Sequence, residues 1–264
     1  MRAALTIAGS DSSAGAGIQA DLKTFAAFGI FGTSAVTAIT AQNTAGVTAM
    51  APLAADIVAA QMEAVAGDIQ LHATKVGMLA TAAIVEAVGA GIEDLDLPLV
   101  VLDPVLASST GTRLLDDDGV QALISELLPR VRVVTPNIPE AEVLSGLRIG
   151  SPADARRAAM RIRDLGADAV IITGGHAPGD VAVDLLLEGE TFTEFKTPRV
   201  MNVEVRGTGC TFAAAVAAGL ALGLTLSESA ERAQRYVAGA MAHAHVVGRG
   251  ARVLDHFWER GRSG

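Results

Sequence analysis

"VRGTGCTFAAAVAAGLALG" (residues 205–223) joins a glycine-rich turn to a long run of small apolar residues. The Ala-rich run predicts a helix that is buried against other elements, and the only cysteine of the chain, Cys210, opens it. Two interpretations of that thiol compete. A free cysteine is commonly a small core residue, whereas a helix N-terminus favours the ionised, reactive form.

The turn ahead of Cys210 has the properties of an anion site. Gly207 and Gly209 carry no Cβ, so the backbone can approach a ligand closely. The first N–H groups of a helix lack internal partners, and the helix dipole adds positive potential there. An anion pocket beside a base is what phosphoryl transfer to a hydroxyl requires. The turn alone is also compatible with carboxylate binding or with close packing.

Composition narrows the class of protein. Half of the 264 residues are hydrophobic but only 3% are aromatic, which suits a parallel sheet covered by helices. The formal net charge of −9 argues against nucleic-acid binding. A single cysteine excludes an internal disulfide and a Cys-rich zinc site. The N-terminal apolar run is short and ends at Gly9, so we expect no signal peptide. The uncharged stretches 24–55 and 207–227 are broken by Gly and Pro or dominated by Ala and Gly, so we expect no membrane helix and a cytoplasmic protein.

Apolar, β-branched runs alternate with helical patterns along the whole chain, which predicts one α/β domain over residues 1–264. The predicted strands are 4–9, 33–40, 72–78, 98–104, 130–136 and 168–175. The predicted helices are 17–29, 53–67, 82–90, 118–128, 152–165, 209–222 and 226–247. Residues 181–197 predict an antiparallel edge hairpin that turns at Glu188-Gly189.

Polar, Gly-rich clusters follow the six predicted strands. Ligands of open α/β sheets bind outside the carboxyl ends of the strands, so these loops predict one site at that edge. The segment GAGIQA (15–20) fits a dinucleotide-binding pattern, but five residues separate it from the strand and no acidic residue occurs between Asp21 and Asp56. A nicotinamide dehydrogenase is therefore disfavoured.

Seven motifs, taken in order, resemble the hydroxymethylpyrimidine/phosphomethylpyrimidine kinases of the ribokinase superfamily, which act in thiamine synthesis. They are AGSDSSAGAGIQADLKT (8–24), TAQNT (40–44), KVGML (75–79), LDPV (102–105), TPNIPEAE (135–142), GGH (174–176) and GTGCT (207–211). The resemblance covers almost the whole chain. It implies a ribokinase-like, three-layer αβα fold with a mostly parallel sheet, ATP with Mg²⁺, and a homodimer; whether K⁺ assists stays open.

The resemblance also assigns roles to residues. Cys210 resembles the general base, and Gly207, Thr208 and Gly209 resemble the anion hole for the transferred phosphoryl group. Gln42 resembles a reader of the pyrimidine edge, with Gly9, Asp21, Met78 and Val105 as further substrate-pocket residues. Asn137 and Glu140 resemble an N-x-x-E motif that organises Mg²⁺ and phosphates through water. Asp103 is expected to help hold the metal ion.

Plainer interpretations of these residues stay open at this point. Gln42 fits a loop amide that caps backbone, and Asp21 fits an exposed helix carboxylate. Met78 and Val105 fit simple packing. Asn137 and Glu140 also fit the start of a helix.

Two positions depart from the family pattern. Thr173 stands where a lysine is expected near the triphosphate, and Arg206 stands where a histidine usually precedes Gly-Thr-Gly-Cys. We therefore place both on the nucleotide side and hypothesise that Arg206 supplies the positive charge missing at Thr173. The resemblance favours a pyrimidine kinase, with pyridoxal kinase activity or a degenerate pyrimidine sensor as alternatives.

Overall fold

The computed structural model describes residues 1–108, 111–174, 180–198 and 204–260, and its central element is a nine-stranded sheet. The strands are β1 (Ala3–Asp11), β2 (Phe31–Asn43), β3 (Gly46–Pro52), β4 (Ala73–Val76), β5 (Val100–Leu102), β6 (Val133–Val134), β7 (Ala169–Ile172), β8 (Val181–Glu188) and β9 (Thr191–Pro198). Their order across the sheet is β3-β2-β1-β4-β5-β6-β7-β8-β9. In this order the neighbouring strands β2, β1, β4, β5, β6 and β7 run parallel to one another. Strand β3 pairs antiparallel with β2 at one side, and the antiparallel hairpin β8–β9 pairs antiparallel with β7 at the other.

Helices cover both faces of this sheet. They are α1 (Gly17–Ala27), α2 (Ala55–Ala66), α3 (Ala82–Asp94), α4 (Asp117–Ala122), α5 (Ile138–Ser145), α6 (Pro152–Asp164), α7 (Thr208–Ala221) and α8 (Leu226–Ala242). One face packs against α1, α7 and α8, and the other against α2, α3 and α6, to which α4 and α5 attach. This arrangement confirms the predicted three-layer αβα architecture.

Two apolar cores lie on opposite faces of the sheet because side chains alternate along each strand. In β1, Leu5 and Ile7 belong to one core and Ala4 to the other. The second core contains α7, which is buried from Thr211 to Ala221. Its Ala and Gly residues suit a helix that packs against the sheet, α1 and α8 at once. Within the described ranges, no helix is long and apolar enough to cross a membrane.

The structure has a strand at each of the six predicted positions and the edge hairpin β8–β9, although β5 and β6 are much shorter than predicted. It also corrects three further details. Strand β2 extends to Asn43 and pairs with β3, which the sequence did not predict because β3 is exposed and lacks a buried alternating face. Helix α5 was not among the predicted helices, but its capping box confirms the interpretation of Asn137 and Glu140 as a helix start. Helix α8 ends at Ala242 rather than 247, because the chain then turns back so that His245 bridges Val253.

The close approach of α7 and α8 predicts a stability effect at Gly219. A Cβ added there would lie 2.7 Å from Ser229 Oγ and 3.1 Å from Ser229 Cα. We expect Gly219→Ala to lower the free energy of unfolding by about 1–3 kcal/mol, as overpacking does. In the control Gly89→Ala the nearest atom would lie 3.4 Å away. That variant should be neutral or gain up to about 1 kcal/mol from helix propensity. Urea unfolding of both variants tests the packing, and equal stabilities would contradict it.

Candidate active site

The turn at the start of α7, residues 207–210 (the anion turn), packs directly against the glycine-rich loop, residues 12–16 between β1 and α1. Gly207 is the residue before the helix, and its φ of 79° is a left-handed conformation that glycine adopts easily. A Cβ on Gly207 would lie 2.0 Å from the carbonyl oxygen of Gly15, so this contact requires glycine. No side chain of the described residues caps the first N–H groups of α7. Thr208 and Cys210 are partly exposed and Gly209 is exposed, as an anion-binding turn requires.

Asp11 organises the glycine-rich loop, and the sequence analysis gave it no role. One carboxylate oxygen accepts hydrogen bonds from the Gly15 and Ala16 N–H groups at 3.0 and 2.9 Å. The other oxygen accepts bonds from the N–H and hydroxyl of Ser13. The signal was present in the sequence, since an Asp followed by small residues commonly folds a turn around its own carboxylate.

A buried ion pair lies beneath the two turns. Lys75 on β4 is completely buried, and its Nζ lies 2.9 Å from Asp21 Oδ2 and 4.0 Å from Asp103 Oδ2. Thr6 donates a second hydrogen bond of 2.6 Å to the same oxygen of Asp21. Lys75 is the main residue that the sequence analysis missed. A lysine inside a predicted central strand was the available signal, because a charge there must be paired.

This geometry corrects the role expected for Asp21. The side chain is neither an exposed helix carboxylate nor open to a ligand, because Asp21 is fully buried within α1. Its carboxylate is connected to Asp103 through the buried Lys75 ammonium. Burial raises the pKa of Asp21, and the neighbouring ammonium and hydroxyl only partly oppose that effect.

Cys210 lies at the first turn of α7, within reach of the same network. Burial raises the pKa of its thiol to about 12; the Asp103 and Asp21 carboxylates act in the same direction, whereas Lys75 and the Gly17 N–H oppose it. The thiol lies close enough to Asp103 to oppose in part the burial that raises the pKa of that carboxyl. Desolvation and the two carboxylates therefore oppose the ionisation that the helix N-terminus was expected to favour.

Asp103 and Glu140 place two acidic groups at the carboxyl ends of neighbouring strands. The Glu140 side chain accepts a hydrogen bond from the Asn137 N–H, and the Asn137 side chain accepts one from the Glu140 N–H, so the motif is a helix capping box. Burial and the nearby Asp103 raise the pKa of Glu140 to about 8. Buried carboxylates whose pKa values are raised in this way gain most from a nearby cation.

The structure brings three of the expected pocket residues together. A Cβ on Gly9 would lie 2.9 Å from the sulfur of Met78. Met78 and Val105 belong to a small apolar cluster, separate from the two cores, that also contains Ala38. Gln42 is half-buried near the end of β2, where its Oε1 accepts a 3.2 Å hydrogen bond from the Thr40 hydroxyl.

Thr173 and Arg206 lie in different parts of the site. The Thr173 N–H bonds the Pro136 carbonyl 2.9 Å away at the end of β7, beside Asn137. Arg206 is buried, and its guanidinium donates a hydrogen bond to the carbonyl of Asn43, at the end of β2.

Five strand spacings, each of about 4.8 Å, separate β2 from β7 in the sheet order. This separation argues against the hypothesis that Arg206 supplies the charge missing at Thr173, because the guanidinium bonds the Asn43 carbonyl near β2. Gly174 follows Thr173 and donates to Asp184 at 2.8 Å. The remainder of the GGH motif, residues 175 and 176, lies outside the described residues.

The sheet order, the glycine turn at a helix N-terminus and the acidic pair define a ribokinase-like small-molecule kinase. A family model described as phosphomethylpyrimidine kinase matches residues 11–255. The chain belongs to the phosphomethylpyrimidine kinase family.

Individual relatives agree with this assignment. The hydroxymethylpyrimidine/phosphomethylpyrimidine kinase of Rhizobium meliloti is 46% identical over 257 residues, which cover 96% of each chain. The structure is similar to pyridoxal kinase of Bacillus subtilis in its ADP complex, with a TM-score of 0.91, 37% identity and coverage of 98% of this chain and 99% of that one. It is also similar to phosphomethylpyrimidine kinase of Clostridium difficile, with a TM-score of 0.80, 40% identity and coverage of 90% and 98%.

The raised pKa of Glu140 predicts how stability depends on pH. The folded-state pKa of about 8 lies above the ordinary 4.5, so the folded chain holds this proton more tightly than the unfolded chain does. The contribution of Glu140 is therefore fully present below about pH 4.5 and is lost as the pH rises through 8.

Glu140→Gln keeps the capping box but removes the titration. We expect its free energy of unfolding to fall less than that of the wild type between pH 5 and pH 8. Urea unfolding at several pH values, without added metal, measures the two slopes. Glu142→Gln on the same helix is the control, because the Glu142 carboxylate bonds Arg148 and the Ile149 N–H instead. A slope unchanged by Glu140→Gln would contradict the assignment.

Proposed function

We propose that the chain transfers the γ-phosphoryl group of ATP to the hydroxymethyl group of 4-amino-5-hydroxymethyl-2-methylpyrimidine, and then phosphorylates the monophosphate, in thiamine synthesis. The observation that carries the proposal is the placement of the Cys210 thiol in the same helical turn as the open N–H groups of α7. Gly207 of this turn contacts Gly15 of the glycine-rich loop. Ser12 of the same loop donates a hydrogen bond to the backbone carbonyl of Gln42, the residue assigned to reading the ring.

In this proposal the chain positions reactants on two sides of one turn. The α7 N-terminus binds the transferred phosphoryl group, and the Gly9–Met78–Val105 cluster contacts the ring. Gln42 offers a donor and an acceptor side by side, which match an aminopyrimidine edge. The hydroxymethyl oxygen forms its bond to phosphorus while the bond to the β-phosphate oxygen breaks, and the hydroxyl proton passes to Cys210.

Proton transfer in this site requires Cys210 to lose its own proton first. In the ligand-free chain burial raises the pKa of the thiol to about 12, and the Asp103 and Asp21 carboxylates act in the same direction. We therefore assign the base function to Cys210, and a cation bound beside Asp103 would lower the pKa of the thiol.

The acidic pair suits Mg²⁺. Asp103 Oδ2 has no hydrogen-bond partner among the described residues, and Glu140 lies close enough to Asp103 for its pKa to be raised. No three His, Cys, Asp or Glu side chains of the described chain converge on one point, so Asp103 and Glu140 would hold the ion with help from water and phosphate oxygens. When bound, Mg²⁺ neutralises charge on the transferring phosphates.

A second candidate substrate is pyridoxal or pyridoxine. The similarity to pyridoxal kinase favours it, and both rings carry a hydroxymethyl group on a ring of similar size. A third reading, a pyrimidine sensor without turnover, rests on Thr173, which removes a cation from the nucleotide side. Relative rates on the two rings, and the presence or absence of turnover, separate these three functions.

We also propose a cytoplasmic homodimer. The outer face of the β2–β3 pair supports this proposal, because its side chains are apolar and exposed: Ile39 pairs with Ala51, and Ala41 pairs with Ala49. A second copy of the chain would cover this strip. Light scattering should give twice the chain mass, and Ile39→Lys should shift the mass toward the monomer.

The direct test is a kinase assay with ATP and Mg²⁺ on the hydroxymethylpyrimidine, its monophosphate and pyridoxal. We expect both pyrimidines to be phosphorylated, with a higher kcat/KM than pyridoxal. A higher value for pyridoxal would select the second candidate. Pyrimidine binding without any product would select the sensor.

Cys210→Ala tests the base in the same assay. We expect turnover to fall by roughly 10²–10⁴-fold, as is typical when a general base is lost, whereas pyrimidine affinity measured by calorimetry is largely kept. Cys210→Ser is the matched control for packing, since it preserves the size of the side chain. Full activity in the alanine variant would remove Cys210 from the mechanism.

A further inference from the structure

The turn that carries Gln42 is held from three directions at once. Three consecutive backbone carbonyls, of residues 42 to 44, each accept a hydrogen bond from a different segment. Ser12 Oγ of the glycine-rich loop donates to the Gln42 carbonyl at 2.8 Å, and the same hydroxyl accepts the Gln42 N–H at 2.9 Å. The Arg206 guanidinium donates to the Asn43 carbonyl.

The third carbonyl belongs to Thr44, which accepts the Ala251 N–H at 3.0 Å. The C-terminal segment approaches so closely that a Cβ on Gly250 would lie 2.1 Å from the Thr44 carbonyl oxygen. This segment also contains a short strand, β11 (Arg252–Val253), which pairs with β10 (Val205–Arg206). The turn of residues 42–44 and the anion turn are therefore fixed to the same backbone ladder.

Arg206 links the turn of residues 42–44 directly to the anion turn. It directly precedes Gly207 of the anion turn, and its side chain bonds the carbonyl of the residue that follows Gln42. Arg206 as a whole is 4% exposed, which limits the access of solvent to this bond. A hydrogen bond from a charged donor is also stronger than one between neutral groups.

We propose that Arg206 is a positioning residue that couples the ring-reading turn of residues 42–44 to the anion turn, so that ring affinity and phosphoryl transfer both depend on its bond to Asn43. The inference rests on the proposed pyrimidine kinase function. This positioning role differs from nucleotide binding, because the hydrogen bond to the Asn43 carbonyl joins Arg206 to the turn that carries Gln42.

The test compares Arg206→Met, Arg206→Lys and a control, Arg252→Met. Arg252 lies on the paired strand of the same ladder, but its side chain is exposed. For each variant, kcat and the KM values for the hydroxymethylpyrimidine and for ATP are measured. Calorimetry gives pyrimidine affinity without nucleotide, and thermal unfolding reports whether the variant is folded.

We expect Arg206→Met to raise the pyrimidine KM and Kd by roughly tenfold, the effect of losing a charged hydrogen bond. We also expect it to lower kcat and to leave the ATP KM within about twofold. Arg206→Lys should recover part of both losses, because an ammonium still donates one bond, and Arg252→Met should match the wild type.

A rise in the ATP KM with an unchanged pyrimidine KM would overturn the proposal, and so would a loss of kcat alone. If Arg206→Met does not fold, the pyrimidine KM of Arg206→Lys decides. A wild-type chain that phosphorylates no pyrimidine would refute the proposed function instead. In that case the calorimetric comparison still tests whether Arg206 controls the ring-reading turn.

Discussion

The ammonium group of Lys75 connects the parts of this site that the chain brings from distant positions. Its carboxylate partners come from α1 and from the end of β5, and its charge also acts on the thiol at the start of α7. Desolvation disfavours a buried charge, yet the carboxylate contacts raise the pKa of Lys75 above its ordinary value. The packing leaves little room, since a Cβ on Gly77 would lie 2.6 Å from Nζ. Removing one partner of such a buried pair typically costs about 3–5 kcal/mol.

Small residues around the Lys75 ion pair let the neighbouring loops, strands and helices pack closely together. Gly207 lets the anion turn touch the glycine-rich loop, and Gly17 lets that loop touch β1. The Ala-rich helix α7 can then lie directly on β4 and β5, which carry Lys75 and lead into Asp103. The same packing desolvates Cys210, so one structural feature both places the thiol and keeps it protonated. In our account, ligand binding must supply the positive charge that changes this state.

The sequence predicted the layers and the edge of the sheet at which the site lies, because strand and helix periodicity and the position of polar loops are local signals. It also predicted the Gly207–Cys210 turn correctly as the start of a helix. It did not predict which charges pair across strands. Lys75 was visible only as a charge in a strand. Asp21 was assigned to the substrate pocket by resemblance, and its burial beside Lys75 of β4 is not a local signal. The position of Arg206 beside Asn43 depends on a β10–β11 ladder of two residues per strand, which is too short to predict from a pattern.

The protonation of Cys210 tests this account most directly, and the lone cysteine makes the measurement simple. The rate of alkylation by iodoacetamide is measured against pH in the ligand-free chain under native conditions. Because burial raises the thiol pKa to about 12, the account predicts a rate that rises about tenfold per pH unit through pH 10 without a plateau. A plateau between pH 7 and 9 would show that the helix N-terminus controls the thiol, and would contradict the account.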